Sequence, residues 1–265
     1  MMTKIALFGA GGKMGCRLTA ALRDCDYDMS YVEIGEEGIR VLGELGVSVT
    51  KQEDALPNTD AVILALPDVL MGKITHEIIP QLRPGSMVMM LDVAAMLAGV
   101  VPIRDDVSYF FFHPCHRNIL KRNREGEHII CALMQGSDDD YKLGAKIAKD
   151  VYKQVIQAHR VTVQQMGLLE PALAETVGIA CCSFLRDAVD EVIKQGVPKV
   201  AAEEFLLGHL SALGVFFTNS GWLSDGAILT MKRGKEQLFR EDWRKTLSPE
   251  GVIEQSKAII AGAQE

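Results

Sequence analysis

Several protein classes are excluded by what the sequence lacks. Its six cysteines contain no CxxC pair, and Cys181 and Cys182 are adjacent, so they read as reduced cytosolic thiols and not as a disulfide frame. There is no excess of positive charge. Lys and Arg number 28 against 35 Asp and Glu, a net charge of −7, which argues against nucleic acid and anionic membrane as partners. The longest apolar stretch, Met87–Ile103, is broken by Asp92, Gly99 and Pro102 and is not expected to span a bilayer. No leader pattern precedes the first strand-like segment, and there is no internal repeat or low-complexity tract. At 48% hydrophobic and 24% charged, the composition is that of a soluble globule, expected in the cytoplasm.

The 265 residues divide by pattern into two unequal parts. In the first, short apolar runs alternate with amphipathic stretches. Strands are expected at Lys4–Phe8, Met29–Ile34, Val47–Thr50, Ala61–Leu66, Ser86–Leu91, Tyr109–Phe112 and His128–Met134, with Gln154–His159 closing the sheet. Helices are expected at Lys13–Arg23, Glu36–Leu45, Val69–Leu82 and Tyr141–Tyr152. This alternation predicts an α/β fold, a doubly wound parallel Rossmann sheet covered by helices on both faces. From Gln164 onward the pattern is helical, giving an N-terminal cofactor domain (1–163) and an all-α substrate and dimerisation domain (164–265). Pro171 is placed to open a helix, while Gly196 and Pro198 stop the next one. Thr176–Ser183 is apolar and small on all sides, which predicts burial all round or close packing against another helix and, with the apolar surface around it, a homodimer.

The sharpest motif is Gly9-Ala10-Gly11-Gly12-Lys13-Met14-Gly15, directly after the first strand and opening the first helix. In that context a glycine loop lets main chain approach a pyrophosphate, whose charge is held by helix N–H groups. Strict GxGxxG spacing fails at Met14, and Gly9, Gly12 and Gly15 fit a related spacing. Glu33, at the end of the second strand, is placed to accept hydrogen bonds from the adenosine ribose and to repel a 2′-phosphate, favouring NAD over NADP. If Glu33 is merely solvated, Asp26 and Glu36 are equal alternatives. Leu66 and Pro67 end the expected fourth strand at the edge where a dinucleotide lies.

His113-Pro114-Cys115-His116 follows the aromatic strand Phe110–Phe112 and falls at the same edge. Alcohol oxidation needs a base for the hydroxyl proton, and either His113 or His116 suits it. A Cys115–His116 nucleophile is disfavoured, since no third group orients it. Glu170 and Glu175 can orient substrate hydroxyls or bind a divalent cation such as magnesium. Arg117, Lys121, Arg122 and Arg124, or Lys232, Arg233 and Lys235, offer cations for a substrate carboxylate.

With these motifs in place, the chain resembles the superfamily of 6-phosphogluconate, β-hydroxyacid and prephenate dehydrogenases and ketol-acid reductoisomerases. Within it, the loop, the strand-two acid and the HPCH segment resemble the D-apionate oxidoisomerase family. The resemblance implies NAD-linked oxidation of a branched sugar acid with rearrangement to a 3-oxo acid. It also matches His113 to the histidine of the His-Pro pair in prephenate dehydrogenases. The Lys and Asn of the decarboxylating phosphogluconate enzymes are missing from Glu170–Phe184, so their lysine-base mechanism does not transfer. Glu175 matches one of the two metal-binding carboxylates of the reductoisomerases, but Pro171 stands where the other belongs and Glu170 is its nearest substitute. A simple β-hydroxyacid or prephenate-type dehydrogenase, and an NAD(H)-binding redox sensor without turnover, remain as alternatives.

Overall fold

A computed structural model describes residues 2–116, 126–212 and 224–262. The apolar runs form a seven-stranded sheet of order β2-β1-β3-β4-β5-β6-β7. Its strands are β1 (Thr3–Phe8), β2 (Tyr27–Val32), β3 (Ala61–Leu64), β4 (Met87–Met90), β5 (Ser108–Pro114), β6 (Glu127–Gln135) and β7 (Val155–Val161). β1 to β5 are parallel; β6 runs antiparallel to β5, and β7 parallel to β6. The sheet is therefore mixed where an all-parallel one was expected. The reversal has a consequence: Pro114 pairs with Ile129, so the start of β6 sits beside the end of β5. Val47–Thr50, expected as a strand, is extended but joins no ladder, although the Thr50 N–H donates to Tyr31 O at 2.7 Å. Ala61–Leu64 is consequently the third strand.

Because β3 and β4 are buried on both faces, they read as unbroken apolar runs. Alternate residues of β5 feed opposite cores. Tyr109 and Phe111 pack on one face with α4 (Asp68–Ile78), α5 (Ala94–Leu97) and α7 (Val163–Gly167). Phe110 and Phe112 pack on the other with α1 (Lys13–Leu22) and α6 (Asp138–Tyr152). α2 (Glu36–Glu44) and α3 (Gln52–Ala55) complete this half.

After β7 the chain is helical. The helix does not open at Pro171. It starts at Val163, where Thr162 accepts from the Gln165 N–H and Gln165 accepts from the Thr162 N–H. Pro171 lacks an N–H, and the helix passes it by widening into π-helical turns over Leu168–Ile179, with the Thr176 hydroxyl donating to Pro171 O at 2.6 Å. α8 (Ala180–Lys194) ends before Gly196 at φ +98°, then come α9 (Lys199–Ala212), α10 (Asp225–Leu238, capped by Ser224) and α11 (Pro249–Ala261). α11 folds back, and Ile260 joins the core beneath α4 and α5.

Thr176–Ser183 is not buried within the chain: it is half-buried to exposed, with Ile179 61% exposed. The run Val163–Lys194 is apolar and long enough to cross a bilayer by length and composition, and most of it is unburied. The cause is packing: among the described residues α8 packs mainly on α9 and on the π-helical turns before it, and not on the sheet.

Candidate active site

The glycine loop joins β1 to α1. Gly9 takes φ +70°, and a Cβ there would stand 2.4 Å from Ala65 O. A Cβ on Gly11 would meet Gly38 O at 2.3 Å, and one on Gly15 would meet Gly9 O at 1.9 Å. These three positions exclude a side chain for packing reasons. Gly12 differs from the expected spacing. Its Cβ would meet only Gly9 O, at 3.3 Å, so the missing side chain leaves main chain bare toward solvent. Gly12 caps α1 without a side-chain hydrogen bond, and the N–H groups of Lys13 and Met14 open the helix behind it. A bare loop at a helix N-terminus fits a pyrophosphate.

Glu33 directly follows β2. Its carboxylate accepts from Gly11, Ile34 and Gly35 N–H, each at 2.9 Å, and so ties the strand end to the loop. Gly38 makes room for it, since a Cβ there would lie 2.7 Å from the carboxyl carbon. Asp26 precedes β2 and sits at the opposite edge, while Glu36 opens α2. Arg40, the nearest cation for a 2′-phosphate, is held by Glu37 and Glu44. Leu66 lines the cavity described next; Pro67 caps α4 and does not.

A cavity of about 510 Å³ opens at the carboxyl edge. Its wall is made by the ends of β3, β4 and β5 together with α1 and α6, and it includes Asp68, Asp92, His113 and His116. His113 Nδ1 lies 2.9 Å from Pro114 O, so that nitrogen carries the proton and donates. Nε2 is left unprotonated, 3.4 Å from Glu170 Oε1. Burial holds the His113 pKa below its ordinary value. Glu170 is pushed up to about 9, by burial first and then by Asp92, Glu175 and Asp68. The pair is therefore neutral, a carboxylic acid facing an imidazole, and not an ion pair. His116 is exposed, with its ring edge-on to His113 at 6.0 Å and a left-handed backbone at φ 54°.

Asp68 and Asp92 are the acids that sequence reasoning passed over. Asp92 follows β4, accepts from Ala94 N–H at 2.8 Å and is hydrogen-bonded to Asp68 at the start of α4. Burial, then Asp68, raise Asp92 to about 6. Burial also raises Asp68 and Glu175. The available signal was position: each is an acid at a strand end on the ligand edge, directly after an apolar run. Among the described residues none of these four carboxylates pairs with a lysine or arginine. No three potential ligands are gathered in metal-binding geometry among the described residues, although hard oxygen donors of this kind suit magnesium or calcium.

Burial and Glu127 raise the Cys115 thiol, which argues against a Cys115 nucleophile. Arg117, Lys121, Arg122 and Arg124 lie outside the described residues. Lys232, Arg233 and Lys235 are on α10, and none lines the cavity.

Comparison with known proteins gives the same architecture. Residues 2–159 match the NADPH-binding domain of acetohydroxy acid isomeroreductase, and residues 124–260 match the C-terminal part of decarboxylating phosphogluconate dehydrogenase. A crystal structure of a semialdehyde dehydrogenase NAD-binding protein from Cupriavidus necator, in complex with calcium and NAD, superposes with a TM-score of 0.93 at 44% identity, covering 97% of this chain and 99% of that one. A ketol-acid reductoisomerase from an uncultured archaeon shares the fold, with a TM-score of 0.71 at 17% identity, covering 96% of this chain and 82% of that one. A D-apionate oxidoisomerase from Cupriavidus necator is 44% identical over 98% of this chain and its own full length. Another, from Rhizobium rhizogenes, is 42% identical over 95% of this chain and 97% of its own. By these measures the chain belongs to the D-apionate oxidoisomerase family.

Proposed function

We propose that this chain oxidises D-apionate with NAD and rearranges the carbon skeleton to a 3-oxo acid. The observation that carries this reading is the neutral His113–Glu170 pair in a carboxylate-lined cavity beside the glycine loop, in a chain 44% identical to a protein of that activity. The loop from Gly9 to Gly15, Ala10 and Lys13 included, would hold the pyrophosphate, Glu33 the adenosine ribose, and Leu66 and Pro67 the edge of the dinucleotide. Bound NAD supplies the hydride acceptor.

The two sides of the pair have their pKa values pushed apart, as acid–base work at one site requires. His113, fixed through Nδ1, takes the hydroxyl proton at Nε2 as the alcohol becomes a carbonyl beside the branched carbon. Once His113 has released that proton to solvent, it takes the proton of the branch-carbon hydroxyl, and one substituent moves with its bonding electrons onto the carbonyl carbon as the branch carbon becomes the new carbonyl. The old carbonyl oxygen collects a proton, which Glu170 is placed to give. His116 contacts substrate or shares the base role. Where a divalent cation is used, Glu170 and Glu175 would hold it as carboxylates, and the cation, in place of the Glu170 proton, would polarise these oxygens.

Residues 1–163 serve the cofactor, while 164–265 serve substrate and dimerisation. The exposed apolar helices α8 to α10 are covered by a second copy of the chain. A bilayer is the poorer cover, because α8 carries Arg186 paired with Asp190 and with Glu203 of α9.

The test is to incubate the protein with D-apionate and NAD, with and without magnesium, following NADH by absorbance and product connectivity by NMR. NADH together with an altered skeleton is expected. NADH with an unaltered skeleton would make the protein a simple dehydrogenase. Tight NADH binding without turnover over a panel of sugar acids would make it a sensor.

A further inference from the structure

The cavity has two chemically different ends. Asp68, Asp92 and the Glu170 side chain behind His113 make one of them acidic. The other is formed where α1 packs on α6, and it carries Arg17 and Tyr152. We propose that Arg17 and Tyr152 form the subsite that seats the substrate's carboxylate, a proposal resting on the sugar-acid reading above.

Two independent observations support the assignment. Arg17 is the only lysine or arginine lining the cavity among the described residues, and it has no carboxylate partner there. Its one side-chain hydrogen bond is a 3.9 Å contact to Met14 Sδ. Three arginines of the sheet half each sit on a carboxylate: Arg83 on Asp60, Arg104 on Asp106 and Arg160 on Asp138. An unpaired guanidinium at a cavity wall is a ready fork for a carboxylate. The second observation is the Tyr152 hydroxyl, which is buried with no hydrogen-bond partner among the described residues. A buried hydroxyl left unsatisfied is costly, and an acceptor entering the cavity would relieve it.

Arg17 then fixes the orientation, since the carboxyl groups of Glu127 and Glu170 both act on Tyr152 and leave Arg17 as the attracting charge. The acidic end repels a carboxylate and accepts hydrogen bonds from hydroxyl groups. A polyhydroxy acid therefore lies with its carboxylate at Arg17 and Tyr152 and its hydroxyls toward Asp68, Asp92 and the His113–Glu170 pair. Glu127 also lines the Arg17 end but makes no ion pair with it. Neither Lys232–Lys235 nor any other residue of α10 lines the cavity, so among the described residues the carboxylate anchor falls to Arg17 of α1.

The experiment compares wild type with Arg17→Met, Arg17→Lys and Tyr152→Phe, using D-apionate, its C1 amide, and NAD titrated separately by fluorescence. Arg17→Met should raise KM for the acid about tenfold to a hundredfold and leave NAD affinity unchanged. Arg17→Lys should recover part of the loss. The wild-type preference for acid over amide should vanish in Arg17→Met. Tyr152→Phe should raise KM about threefold to tenfold while Tm stays level or rises, because an unsatisfied hydroxyl is removed. A purely structural Tyr152 would show the opposite pairing, lower Tm with unchanged KM. Unchanged KM in Arg17→Met while wild type turns over would overturn the subsite and leave the proposed function standing. So would a loss of NAD affinity equal to the rise in KM. No turnover of any sugar acid by wild type would overturn both.

Discussion

The two halves of this chain handle similar apolar sequences in opposite ways. In the sheet, Tyr109, Phe110, Phe111 and Phe112 are fully buried, and both faces are sealed by helices of the same chain. In the helices after Ile179, Phe205 is 70% exposed and Leu207 61% exposed, and Val189 and Ala202 are the buried apolar residues of α8 and α9 among the described residues. The sheet's core is not closed by the first half alone, since Met166 and Ile260 of the helical half pack into it. On α8 and α9, Phe184, Val192, Val200, Phe205 and Leu207 are exposed, and a contiguous exposed apolar surface is the kind that a partner covers. At the seam, Glu170 from the helical half meets His113 from the sheet.

The seam is where substitution should cost most. His113→Asn keeps a polar side chain but removes the base, and Glu170→Gln keeps a donor but removes the transferable proton. Each is expected to lower kcat by about a hundredfold to ten-thousandfold, with little change in NAD affinity. Stopped-flow NADH formation with the sugar acid checks this. Glu170→Gln at wild-type rate would detach the helical half from the chemistry.

Within the sheet half, Gly11→Ala and Gly12→Ala separate packing from ligand approach. At Gly11 the new methyl collides with Gly38 main chain, so Tm and NAD affinity should fall together, affinity by about tenfold to a hundredfold. At Gly12 the new methyl meets only Gly9 O, at 3.3 Å, which a shift of a few tenths of an ångström relieves, so Tm should fall much less than in Gly11→Ala while NAD affinity falls. Calorimetry with NAD and a thermal melt read both. A Gly12→Ala protein with wild-type affinity would move the pyrophosphate off this loop.

In the helical half, Phe205→Glu combined with Leu207→Glu should convert a dimer to a monomer by light scattering. These sites are exposed in the single chain, so its secondary structure should be retained. A wild-type monomer would remove the contrast between the halves altogether.

Legibility followed the same division. The Gly9–Gly15 loop, Glu33 and the HPCH segment were readable because each follows a strand, and the strand dictates which edge the next residues reach. The antiparallel turn from β5 to β6 was not readable, because an apolar run carries no sign of its direction. Pro171 misled for a related reason: a proline signals a helix start locally, but here the capping box at Thr162 and Gln165 had already begun the helix. Asp92 was treated only as a break in an apolar run. Its importance appears once β3, β4 and the π-helical segment bring Asp68, Asp92, Glu170 and Glu175 together from distant stretches of sequence.

That gathering makes a smaller, pH-dependent prediction. Glu170 binds its proton more tightly folded, at about 9, than its ordinary 4.5, and Asp92, raised to about 6, acts in the same direction. The folded state therefore holds more protons than the unfolded state over this window. Stability from these groups is fully present below their ordinary values and is lost as pH rises toward 9. Tm should fall between pH 6 and 9, and Glu170→Gln should flatten that slope and raise Tm by about 2–4 °C at the alkaline end. The same groups set the rate profile. Activity should rise with pH through a His113 pKa below its ordinary 6.5 and decline near 9 as Glu170 loses its proton. Magnesium at pH 9 should restore Tm if the carboxylates hold a cation there, since a bound ion replaces the missing protons. A Tm that rises from pH 6 to 9 without added metal would mean the four acids are already compensated, and the neutral pairing of Glu170 with His113 would fall with it.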